Sequence, residues 1–146
     1  MLPLTFLTVV LSLTLAAFTA HLLSRRRLTL RLRQAAVEWR MHYAEADRFQ
    51  ITPRVVERFP VPGAADFAVF DLVYRQDKEN YRYLFTVEYT QGVVRTKERI
   101  RRVAMISEPR DAPADEPWSP LTIAPADLPV LEQYRGLRAM LESKSD

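Results

Sequence analysis

The chain has 146 residues, 21 Lys+Arg against 18 Asp+Glu for a net charge of +3, 48% apolar residues, three Gly and no Cys. Those figures fit one small domain with an accessory segment. They exclude a disulfide framework, a thiolate metal site and thiol catalysis, and they leave no glycine-rich phosphate loop.

Leu2 to Leu23 contain no Asp, Glu, Lys or Arg. At 1.5 Å per residue such a run reaches roughly 33 Å, enough to cross a bilayer core. A cleaved signal peptide would want a basic residue before the run and small residues at the cut. Nothing basic precedes it, and a cut after Ala20 would put bulky Phe18 at the −3 position. An uncleaved anchor over residues 1–24 is the expectation. Arg25, Arg26, Arg27, Arg31 and Arg33 follow with no acid among them. Such asymmetry sets the basic side in the cytoplasm and the N-terminus outside, and holds anionic lipid at the membrane surface. Eighteen Arg against three Lys fit a GC-rich bacterial genome, so the expected place is a bacterial inner membrane crossed once.

Leu28, Leu32, Ala35, Ala36, Trp39, Tyr43 and Ala46 fall on one stripe of a helical wheel. They predict an amphipathic helix to about Ala46 within a juxtamembrane segment, residues 25–50. In that helix Glu38, His42 and Glu45, at i, i+4 and i+7, share a face, half of a carboxylate–histidine metal centre. The remaining ligands are missing, so no metal and no cofactor is assigned. A metal-dependent enzyme built on Glu38 and His42 is kept as the alternative. Thr52-Pro53 then reads as the cap and first position of a short helix carrying Val55, Val56 and Phe59. Pro62-Gly63 marks a turn.

From Phe67 the hydrophobic period becomes two, predicting strands over Phe67–Arg75, Tyr81–Thr90 and Val93 towards Ile106. Three sequential antiparallel strands make a meander, and the helical stripe should close over one face. The expected class is α+β, with the sheet inside a domain spanning residues 51–108. Tyr81, Tyr83, Phe85, Val87 and Tyr89 form an aromatic row, which Ala68, Phe70, Leu72 and Tyr74 would join. With Gln91-Gly92 as a two-residue loop, Glu88 opposes Arg95, Thr86 opposes Lys97, Leu84 opposes Arg99 and Arg82 opposes Arg101. The consequence is a basic ladder of Arg82, Arg95, Lys97, Arg99 and Arg101, suited to an anionic partner: lipid headgroups, an acidic protein surface or nucleic acid. Nucleic acid is the weakest such partner, because the aromatics that would stack bases lie on the other face.

Six of the ten prolines lie between Pro109 and Pro129, predicting an extended linker or strap over 109–127, with Trp118 packed back or marking a contact. Val130, Leu131, Tyr134, Leu137 and Leu141 predict a C-terminal helix in the last segment, 128–146. No catalytic constellation and no small-molecule substrate emerges. The sequence reads as a non-enzymatic, single-pass membrane protein with a small cytoplasmic module, whose partners are membrane lipid and a protein or a second copy. By zone, the charge is +5 over 25–59, −2 over 60–92, +4 over 93–110 and −4 over 111–146.

Overall fold

A computed structural model describes residues 2–93, 95–111 and 121–143. Helix α1, Leu2–Glu38, is followed by strand β1 (His42–Ala46) and helix α2 (Ile51–Arg58). Strands β2 (Ala65–Gln76), β3 (Asn80–Gln91), β4 (Glu98–Pro109) and β5 (Thr122–Ile123) come next, then helix α3 (Val130–Ser143). The five strands form one antiparallel sheet in the order β1-β2-β3-β4-β5. The α+β class therefore holds, but the meander has gained a strand at each edge. Trp118 and the rest of residues 112–120 of the strap lie outside the described residues. At the strap's far end, β5 docks on β4, pairing Ile123 with Ala104.

α1 is one 37-residue rod. Its first part is long and apolar enough to cross a membrane, with none of that window buried. Length and composition alone would equally suit a signal sequence. The second part buries Leu32, Ala35, Ala36 and Trp39, the first turns of the expected stripe. The helix does not reach Ala46. It ends in a left-handed residue, Arg40 at φ 55. There the Met41 amide donates to Ala36 O at 2.8 Å and the Arg40 amide to Val37 O at 3.0 Å, a Schellman closure without glycine. The chain reverses, and Tyr43 and Ala46 enter β1 instead of a further helical turn.

Both faces of the sheet are covered. α1 and α3 close one face over Val73, Leu84, Val103 and Met105. The short helix α2 closes the other over the aromatic row of Tyr83, Phe85, Val87 and Tyr89. Its N-cap position is not Thr52 but Gln50, whose side chain caps nothing; the Asp47 carboxylate instead accepts the Ile51 amide at 2.9 Å and the Thr52 amide at 2.8 Å. Burial opposes ionisation of Asp47, but those N–H donors outweigh it and hold the carboxyl below its ordinary value.

β2 carries two bulges, where Asp66-Phe67 and Asp71-Leu72 are each opposed by a single residue of β3. Asp66 and Asp71 both adopt φ 53, a conformation that Asp tolerates better than most side chains. Each bulge flips the strand's alternation. Val69, Leu72 and Tyr74 therefore face the aromatic row, whereas the even alternation expected from the sequence would have placed Ala68 and Phe70 there.

Candidate functional site

A carboxylate within the apolar run Val69-Phe70-Asp71-Leu72-Val73 needs partners, because an unpaired buried charge is very costly. The bulge turns Asp71 towards α1, where only 1% of it is exposed. Arg25 Nη1 donates to one carboxylate oxygen at 3.1 Å, and the Tyr43 hydroxyl donates to the other at 2.6 Å. The Tyr134 hydroxyl donates to the Asp71 main-chain carbonyl at 2.6 Å. Its proton is thereby used, so at 2.8 Å it accepts from the Thr86 hydroxyl. One residue from each of α1, β1, β2, β3 and α3 meets at this point.

Burial, then the hydrogen bond to Asp71 and its charge, pushes the Tyr43 phenol far above its ordinary value. Burial does the same to Tyr134. Both phenols stay protonated donors across physiological pH, and the chemistry of the cluster is that of a fastening between α1 and the sheet. Next to it the Phe70 ring carries two guanidinium groups, Arg25 at 5.0 Å and Arg101 at 5.3 Å.

The expected basic ladder is redrawn. β4 pairs with β3 through Glu88↔Arg101, Thr86↔Val103, Leu84↔Met105 and Arg82↔Ser107, six residues away from the register expected of a two-residue loop. Hydrophobic alignment overrules the turn. The observed register buries Val103 to Ile106, which the two-residue turn would have carried beyond the paired strand. Arg95 and Lys97 consequently stand exposed in the β3–β4 loop. Arg99 and Arg101 remain together on β4, and both ion-pair with Glu88, Arg101 at 2.7 Å. Burial raises the Glu88 carboxyl, but the two guanidiniums outweigh it and lower its pKa. Arg82 lies at the opposite end of β3, apart from the others.

Of the membrane-surface arginines, Arg25 faces the domain, and Arg33 lies over the Tyr43 ring at 5.4 Å. Arg26, Arg27 and Arg31 are exposed. Glu38, His42 and Glu45 do not share a helical face, because α1 ends before His42. The His42 ring packs on Tyr74 at 5.4 Å. Among the described residues no three His, Asp or Glu side chains are placed to hold a metal ion. A groove of about 430 Å³ separates α1 from the edge strand β1, with Arg33, His42, Glu45 and Arg48 on its walls.

Sequence reasoning missed Tyr43, Asp71, Thr86 and Tyr134 as a unit. The available signal was Asp71 itself, an acid interrupting an apolar strand, which the expected alternation placed on a wet face. No family model matches the chain, and comparison with curated proteins and with solved structures finds no similarity to either.

Proposed function

We propose that this chain is a single-pass membrane protein whose anchor presents a small non-enzymatic interaction module to the cytoplasm, where it joins or regulates a membrane-associated complex. One observation carries the reading: Arg25, the first charged residue after the apolar run, is bonded to the buried Asp71 of the domain. An anchor tied in this way sets the domain's height and heading at the membrane surface. A tether meant only to retain a freely moving domain would have no use for such a bond. The unbroken course of α1 from the apolar run into the domain core supports retention of the span rather than its removal. The five arginines after it support a cytoplasmic domain, and the arginine-rich composition supports a bacterial inner membrane.

Placement is tested on tagged full-length protein in cells. The expected results are resistance to alkaline extraction and protection of the C-terminal tag from protease added outside intact spheroplasts; cleavage of the tag there overturns the orientation. The interaction reading is tested by photo-crosslinking in membranes from residues lining the β1 groove. A discrete adduct at Glu45 or Arg48, weakened when Arg25→Ala removes the bond that fixes the domain's heading on α1, is the expected outcome. An adduct pattern indifferent to that substitution argues that presentation by the anchor has no role.

A further inference from the structure

We infer that the β3–β4 hairpin is a second membrane contact, with Arg95, Lys97, Arg99 and Arg101 meeting anionic phospholipid headgroups and Val93 lying against the acyl boundary. The inference rests on α1 being the anchor and adds a binding surface to that reading.

The geometry follows from three fixed points. Arg25 touches Asp71 and the Phe70 ring. Fourteen and sixteen residues later, Trp39 and Met41 line a small cavity with Arg75 and Arg82. From Arg25 to Trp39 α1 advances about 21 Å. From Phe70 to Arg75 β2 carries a bulge and matches four steps of β3, Thr86 to Arg82, so it advances about 13 Å. Helix and strand therefore run the same way, obliquely, away from the membrane. β3 is antiparallel to β2, with Thr86 opposite Phe70, so β3 runs back towards the bilayer. It does not stop at the level of Arg25. Gln91 lies five residues beyond Thr86, about 16 Å along the strand and about 10 Å along the helix direction. Headgroup layers are only about 5–8 Å deep on each side. With Arg25 just past a span that fills the hydrocarbon core, a hairpin reaching that far is brought to the headgroup layer beside α1, and the tilt of α1 sets how far it enters.

The side chains suit that place. Val93 is 75% exposed, an apolar residue at the tip with no protein cover. Arg95 and Lys97 are exposed in the loop, and Glu98 is the only acid between Gly92 and Arg99. Arg99 and Arg101 continue the row along β4 and outnumber their shared acid, Glu88. Long basic side chains keep their charge among phosphates while their stems lie along apolar surface. The loop is also held in shape. Gly92 has φ 117, a Cβ there would stand 2.5 Å from Thr96 O, and the Thr96 amide donates to Val93 O at 2.8 Å.

The chain has no Cys, so single-cysteine variants of the full-length protein can carry a spin label at one site each. Val93→Cys reports the hairpin, Leu13→Cys the anchor, and Lys78→Cys the opposite end of the sheet. Each is reconstituted into vesicles of phosphatidylcholine alone or with phosphatidylglycerol, and collision with a water-soluble nickel chelate is measured. The expected result in phosphatidylglycerol vesicles is a Leu13 label shielded by the bilayer and a Lys78 label open to water. The Val93 label should be shielded by at least about threefold relative to Lys78. Adding Arg95→Glu with Lys97→Glu should return the Val93 label to the water-exposed value, while Leu13 stays shielded. A Val93 label as open as Lys78 while Leu13 is shielded overturns the hairpin contact and leaves the anchor standing. Equal shielding of Val93 in both vesicle types overturns its preference for anionic lipid. A Leu13 label open to water overturns the anchor, and the hairpin contact with it.

Discussion

The two faces of the sheet are closed by different means. Under α2 the contact is apolar and aromatic: Phe59, Phe67 and Tyr89 meet at centroid distances of 4.6–6.0 Å, and Phe49 packs on Tyr74 and Tyr83. Under α1 and α3 the apolar layer of Leu32, Ala35, Leu84 and Val103 is interrupted by the buried Asp71, its partly exposed partner Arg25 and the two tyrosines. Burial of rings is nondirectional and supplies stability. A buried ion pair adds little net stability, but it permits one alignment of the groups around it. Such an alignment matters on the face that receives the long helix α1 and not on the face that α2 closes.

The largest effects should separate these roles. Phe85→Ala empties the centre of the α2 face and should cost about 3–5 kcal/mol by chemical denaturation in detergent. Asp71→Ala should cost about 3 kcal/mol, since it strips Arg25 and Tyr43 of their acceptor at once. Pairing Arg25→Met with Asp71→Leu sharpens the contrast. Most of the stability should return, while spin-label distances between α1 and the sheet should broaden; a distribution as narrow as wild type would show that the ion pair sets no alignment. Tyr134→Phe removes the hydroxyl that joins Thr86 to the Asp71 carbonyl and should cost about 1–3 kcal/mol by the same assay.

The smallest effects have opposite signs on the two faces. On the α1 side the Glu88 pKa is lowered, so its contribution is present above the unfolded value and is lost as pH falls through the folded one. On the α2 side burial raises the Glu108 pKa, against the pull of Arg54 and Arg58. Its charge therefore opposes folding at neutral pH, and that penalty is relieved as pH falls through the raised value. Thermal unfolding against pH should show Glu108→Gln more stable than wild type near neutrality and converging with it in acid. Glu88→Gln should be less stable near neutrality, by up to about 1 kcal/mol given its exposed partners. Parallel behaviour of the two variants would remove this distinction between the faces.

The α2 face was the more legible from sequence. The alternation of Tyr81 to Tyr89 prescribes β3 and its aromatic side from local residues alone. Leu28 to Trp39 likewise mark the buried side of α1, and Tyr134, Leu137 and Leu141 that of α3. The other features arise from contacts remote in the chain. Tyr43 and Ala46 satisfy a helical stripe and a strand equally well, and the left-handed turn at Arg40, without the usual glycine, decides between them. Asp71 reads as a solvent-facing residue until the bulge brings it inward, and only the folded partners Arg25, Tyr43 and Tyr134 make the bulge tolerable. The β4 register failed for a different reason: Gly92 does begin the turn, but the turn is longer than its sequence advertises. Pairing of Val103 to Ile106 with β3 fixes it from the far end.

The continuity of α1 carries a mechanical consequence. A hydrophobic segment longer than the local bilayer leans, and it leans further as the bilayer thins. A helix broken at the surface would absorb that lean in its joint. Here the rod enters the domain core without a break and is fastened at Arg25, so the whole sheet would swing with the anchor. With α1 in the membrane, bilayer thickness becomes a variable that the module reports as attitude, raising or lowering the β1 groove relative to any neighbour fixed in the same membrane.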